Sequence, residues 1–348
     1  MRNIPVIALW AASAPFWAAA LTAPALARIA PDDGPQIELR DLAARVVVTP
    51  EDRSDIDIRV RYGKAQVPTL MVSHRGQTTV LNGHLSDRFH GFGLRVNISD
   101  NRGRVAIGGL GDVAVDDLPL VLVRVPMHAS IRDSAYVLGR VDAAQSVDLV
   151  MNGGGAWTVG PVNGPLSIIS SGSGDIHVTQ AGDAIVDTMG GGAIILDGVG
   201  ALKASLTGSG DFVVGRSGVT EVQNQGSGDM TLGHAAALRV ELNGSGDMTV
   251  GSVDNGLSLI NNGSSDVRVN RVAGPVTLNL AGSGDVDIDS GQIPSFRLQG
   301  SGSGDVVFGG VTGTVNIDSN GSGDVSIGRA TGAVLTKVVG SGDMHIGH

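Results

Sequence analysis

The sequence contains no cysteine, which excludes disulfide staples, thiolate catalysis and cysteine-ligated zinc. Lysine occurs only at Lys64, Lys203 and Lys337, and glutamate only at Glu38, Glu51, Glu221 and Glu241. Aromatic residues make up 3% of the chain. A sequence so short of Glu and Lys is not built of helices. A formal charge of −10 argues against nucleic acid as a partner, because phosphate binding needs clustered Lys and Arg. What is abundant is glycine, with 53 copies, and aspartate, with 30. That pairing reads as short strands joined by many turns.

The first residues have the pattern of an export signal. Arg2 precedes a run from Ile4 to Thr22 that is apolar apart from Ser13, and Pro5 and Pro15 interrupt it. Ala25-Leu26-Ala27 fits a small-x-small cleavage site, so residues 1–27 are expected to be removed and Arg28 to begin the mature chain. No later segment has a charge-free apolar run long enough to span a bilayer. The expectation is an exported protein: periplasmic, secreted or on the cell surface.

The main signal is a repeat. A Gly-Ser-Gly-Asp turn recurs through the second half, placing aspartates at Asp175, Asp211, Asp229, Asp247, Asp266, Asp285, Asp305, Asp324 and Asp343. Degenerate copies end in Ala156 and Ala193, and successive copies lie 18 to 20 residues apart. After each turn, apolar residues fall one and three positions beyond the Asp, as in Met248/Val250 and Val325/Ile327, with a mostly polar residue between them. A second apolar pair lies nine and seven positions before it, as in Leu238/Val240 and Val315/Ile317. This is the period of a strand. A unit this small cannot bury its own apolar face, so stacked units must share one core. The predicted fold is all-β, a right-handed parallel β-helix with rungs of 18–20 residues. Residues 28–107 read as a β-rich N-terminal cap or irregular rungs, and residues 108–348 as the β-helix proper, with weaker turn copies at Gly109-Leu110-Gly111-Asp112 and Asp133-Ser134-Ala135-Tyr136. The length changes fall between the two strands of a unit. Glycine is expected to supply unusual turn angles, and Ser and Asp to bond to nearby amides.

Over roughly residues 36–348 the repeated Ser-Gly-Ser-Gly-Asp-hydrophobic pattern, complete at 171–176 and 301–306, resembles the head-GIN domain family. Its members are described as candidate auto-transporter adhesins. The resemblance implies a right-handed β-helix exported to the cell envelope, and it offers no catalytic residues to carry over. An auto-transporter continues into a membrane barrel of ~10-residue strands, a run that residues up to His348 do not contain.

Four features are candidates for function. The aspartates Asp211, Asp229, Asp247, Asp266, Asp285, Asp305, Asp324 and Asp343 form a ladder that reads either as turn caps or as a calcium-binding edge. Neighbouring carboxylates one strand spacing apart repel by about 0.9 kcal/mol per pair in water. His84, Asp87 and His90 have a spacing that a metal site can use, although the surrounding glycines suggest a solvated loop. Lys203, Glu221 and Arg239 read as an ion-pair ladder across rungs. The last rung, with Met344 and Ile346, looks like an interior unit, so the C-terminal end of the stack is expected to self-associate or dock on envelope components. A polysaccharide-active enzyme is the catalytic alternative. It would need paired carboxylates beside aromatic platforms, whereas Phe212, Phe296 and Phe308 fall at core positions. No nucleophile elbow or phosphate loop is present. The reading is a non-catalytic envelope protein with a binding surface and no cofactor, calcium being the alternative.

Overall fold

The computed structural model describes residues 34–88, 103–107 and 111–347. The export-signal segment and His90 lie outside them. The molecule is a parallel β-solenoid of about 12 coils. Each coil pairs residue for residue with the next, so that Phe212, Met230, Met248 and Val267 stack in one column. Leu202, Thr220, Leu238, Leu257 and Val276 stack in another. These columns belong to two parallel ladders, one following the Gly-Ser-Gly-Asp turn and one preceding it.

Alternation of the side chains builds the core. In Met248–Val253 and Val267–Ala273 the first and third residues are buried and the second is exposed. A stacked pair, Phe296 and Phe308, lies within the interior with ring centroids 5.6 Å apart. These apolar positions form one continuous cluster running from Ile37 to Ala330, which is how units too small to fold alone are stabilised.

Three expectations change. Phe212–Asn224 and Met230–Leu242 run unbroken through both ladders. A third inward column lies between the two apolar pairs, with Ser217, Ala235, Val253 and Val272 buried. In these coils the unit is a bent strand with one sharp turn, whereas elsewhere, as in Met248–Val253 and Leu257–Asn261, it keeps the two short strands expected. Added residues do fall beside this bend: Ala235 pairs with Val253 at a spacing of 18, and Leu238 with Leu257 at 19. Gly256 takes up the extra length with φ +119°.

The second change concerns glycine in the Gly-Ser-Gly-Asp turns, none of which has positive φ. Their requirement is for space. A Cβ on Gly226 would lie 2.0 Å from the carbonyl oxygen of Gly208, and one on Gly244 would lie 1.8 Å from that of Gly226.

The third change is near the N-terminal end, at the weaker turn copy Gly111-Asp112. Gln36–Glu51 is a full coil strand, parallel to His128–Val141. Antiparallel pieces cover that region: Asp57–Arg61 lies on Leu120–Pro126, and Met71–Arg75 forms a hairpin with Thr78–Asn82. The turn-like sequence at Gly111-Asp112 belongs to a separate antiparallel pair, Arg104–Ile107 with Gly111–Ala114, and not to a coil. Among the described residues no helix is long and apolar enough to cross a membrane.

Candidate functional site

The turn edge is built by three residue types with separate tasks. The two glycines let one turn sit directly on the carbonyls of the turn below. The serine between them points outward and is exposed, as at Ser227 and Ser245, and so is Ser264 in the variant copy Gly263-Ser264-Ser265-Asp266. The aspartate reaches to the neighbouring coil: the backbone N–H of Asp229 donates to Oδ1 of Asp211 at 3.1 Å, and that of Asp247 to Oδ1 of Asp229 at 3.0 Å. The same bond joins Asp247 to Asp266, Asp266 to Asp285, Asp285 to Asp305, Asp305 to Asp324 and Asp324 to Asp343, at 2.7–3.0 Å. Asp175 accepts the amide of Ala193 in the same way at 2.9 Å.

All eight candidate aspartates therefore share one edge, and the seven from Asp211 to Asp324 each accept from the next coil rather than within their own turn. One charge-assisted bond of about 1.5–3 kcal/mol accompanies each repulsion of about 0.9 kcal/mol, so the row is self-supporting. Among the described residues no three His, Asp or Glu side chains converge to hold a metal ion. Replacing Asp247 with Asn keeps an acceptor oxygen and is expected to change stability by no more than about 1 kcal/mol. Asp247→Ala removes the acceptor and is expected to cost about 2 kcal/mol in thermal or denaturant unfolding, with no change on adding a chelator.

Beside this row runs a shallow groove. One stretch of about 760 Å³ extends from Met189 to Ser264, and a second of about 980 Å³ continues to Ser341, the two sharing Gly263 and Ser264. Its walls are the turn glycines and serines and the residue before each turn, including Gln225, Asn243, Asn262 and Asn320. Asn262 donates to Asn243 at 2.9 Å across coils. The lining offers neutral donors and acceptors at a repeat of roughly 4.8 Å and no charged side chain.

The other candidates are only partly assembled. His84 Nδ1 lies 3.0 Å from Asp87 Oδ2, beside the single helical turn Leu85–Arg88. That turn, tied to Asp41 through the Ser86 amide, replaces the expected loop. Lys203 reaches Glu221 at 3.9 Å, but the pair does not extend to Arg239.

Two groupings escaped the sequence reading. His234 sits with Nδ1 2.9 Å from Ser252 Oγ and Nε2 3.5 Å from Asp254 Oδ2. The 18-residue register between His234 and Ser252 was the available clue. This trio lies on the outside of the coils, with partly exposed His234 and Asp254 side chains. The second grouping is internal. The Trp157 indole N–H donates to Asp133 Oδ2 at 2.8 Å, and the Ala135 amide to Asp133 Oδ1 at 2.9 Å. Burial pushes the Asp133 carboxyl up from 3.8 to about 7, against the lowering effect of those two donors. The turn-like segment Asp133-Ser134-Ala135-Tyr136 is thus a coil position whose acidic side chain turns inward.

The fold and edge define a class, the parallel β-solenoid with a polar turn edge. Within it, residues 250–347 match the family model described as "Putative auto-transporter adhesin, head GIN domain". The match agrees with the resemblance read from the turns and is narrower than residues 36–348. A solved structure from Bacteroides fragilis, titled a "putative adhesin", is similar at 14% identity, covering 79% of this chain and 93% of that one with a TM-score of 0.34. No match was found among curated proteins.

Proposed function

We propose that the protein is an exported, non-catalytic, adhesin-like module of the cell envelope that binds its target along the Gly-Ser turn groove. The observation that carries this reading is the continuous neutral polar groove from Met189 to Ser341. A flat array of hydroxyls, carboxamides and backbone groups suits an extended polar ligand, and a long surface gains affinity by repetition rather than by one deep pocket. The family match over residues 250–347 supports the adhesin-like part, and the signal-like residues 1–27 support export. The aspartates serve the fold, and calcium is not required for it.

The test is capture of the protein on an array of cell-surface glycans and envelope proteins. Wild type is compared with Ser245→Trp and Ser264→Trp, which fill the groove from exposed positions. Loss of capture with an unchanged melting temperature is expected. Groove-filled variants that bind like wild type would sink the proposal, and turnover of a captured glycan would replace it with the enzyme reading.

Self-association belongs to the same reading. Val334–Val338 and Met344–Ile346 each pair on one side only among the described residues. Leu335 and Val339 are 67% and 55% exposed. Asp343 presents the same carboxylate that accepts an amide in the seven coils before it, from Asp211 to Asp324. A second copy docked there is expected to give a dimer by light scattering at tens of micromolar, abolished by the pair Met344→Lys and Ile346→Lys. A monomeric wild type would contradict it.

A further inference from the structure

A second recess lies away from the turn groove, at the bend that follows the first ladder. It measures about 600 Å³ and is lined by Gln180, Asp197, Gly198 and Arg216 among others. Gly198 stands in register with Arg216 on the next coil. The Ala181 amide donates to the Gly198 carbonyl at 2.9 Å, which sets Gln180 beside Gly198 on the coil before. Three successive coils therefore present a carboxamide, a gap and a guanidinium in one column. The gap is real space: a Cβ on Gly198 would meet nothing within 4 Å.

The charges around the recess are arranged unevenly. Asp197, the carboxylate on its rim, is held by His177, whose Nε2 lies 3.0 Å from both of its oxygens. Arg216 is exposed, and its guanidinium has no hydrogen-bond or ion-pair partner among the described residues. Arg271 continues the column through His234 and Ser252. It too is unpaired among the described residues, three coils or about 14 Å along the stack. A guanidinium is a planar fork suited to a carboxylate. Here it faces an empty notch whose far wall is a carboxamide able to donate.

We propose that this recess is a subsite for the carboxylate of an acidic sugar, one unit of a uronate-bearing polysaccharide lying along the stack. Arg216 takes the carboxylate, Gln180 a neighbouring oxygen, and Gly198 makes the room. Arg271 is placed to meet a second carboxylate further along the same chain. The subsite lies at a different corner from the turn groove, so it stands or falls independently of binding there.

The test is calorimetric titration with oligogalacturonate, beside a neutral oligosaccharide of equal length and a sulfated heparin-type oligosaccharide. Arg216→Ala is expected to weaken oligogalacturonate binding at least tenfold. Gly198→Val should do the same by filling the notch, at an unchanged melting temperature, since its Cβ is unopposed and its φ is not positive. Arg239→Ala, which removes an unpaired arginine elsewhere, should change affinity less than threefold, and any binding of the neutral oligosaccharide in the turn groove should be unaffected by Arg216→Ala. Absence of oligogalacturonate binding, or an equal loss with Arg239→Ala, would overturn the proposal. Arg216-dependent binding of the sulfated oligosaccharide alone would overturn the carboxylate assignment.

Discussion

Adding one methyl group at Gly244 is expected to destabilise the protein by about 3–5 kcal/mol, a large value for a half-buried turn residue. The new Cβ would lie 1.8 Å from the Gly226 carbonyl oxygen, and that obstacle is backbone rather than a side chain that can turn away. Relief requires the turn to lift from the coil below. The lift would break the amide bonds from Ser245 to Gly226 and from Asp247 to Asp229. Ser245→Ala, one residue along and pointing outward, should stay within about 0.5 kcal/mol. Denaturant unfolding of the two variants checks the contrast. Equal, small effects would mean that adjacent turns are not in contact.

The second large effect is pH-dependent and comes from the buried Asp133. Its carboxyl titrates near 7 in the folded chain and near 3.8 when exposed, with burial the leading cause. A raised folded value means that the folded state binds the proton more tightly. The associated stability is present in full below pH 3.8 and is lost as pH rises through about 7. The interval corresponds to about 4 kcal/mol. Asp133→Asn cannot titrate, and it turns an amide N–H toward one of the two donors, a fixed cost of about 1–2 kcal/mol. Relative to wild type, the Asn variant should therefore be less stable at pH 4 and gain about 4 kcal/mol by pH 8. Unfolding midpoints measured at each pH give the two curves. Parallel curves would mean that the carboxyl is ionised in the fold and satisfied by Trp157 and Ala135.

Part of this architecture was legible before any coordinates. A repeat of 18 to 20 residues with apolar pairs at fixed offsets has few solutions, and stacking into a parallel solenoid is the one that buries every pair. What the sequence left open was direction and distance. An aspartate in a turn can bond its own amides or those of the next coil with equal local propriety, and only the register places Asp229 Oδ1 on the Asp247 amide. Glycine at Gly226 fits either a positive φ or a close approach, and composition does not separate the two. The third inward column at Ser217 and Ala235 was hidden because its residues are small and mixed in polarity. Gly111-Asp112 read as a coil turn because an antiparallel hairpin shows the same glycine, aspartate and alternating valines. Asp133 read as a turn residue because its partner Trp157 lies 24 residues away. The groove was implicit in the serines and asparagines flanking each turn, but its continuity depends on the coils stacking without offset.

The central claim is that the aspartate row fastens coil to coil, which leaves the serine and asparagine row beside it free to bind. Amide hydrogen exchange at Asp266 tests it most directly, because that N–H has Asp247 Oδ1 as its acceptor at 3.0 Å. The Asp266 amide should exchange as slowly as the amides of Val267 and Val269, remain slow in Asp247→Asn, and speed up locally in Asp247→Ala. Fast exchange at Asp266 in the wild-type protein, or protection there that Asp247→Ala leaves untouched, would contradict the account.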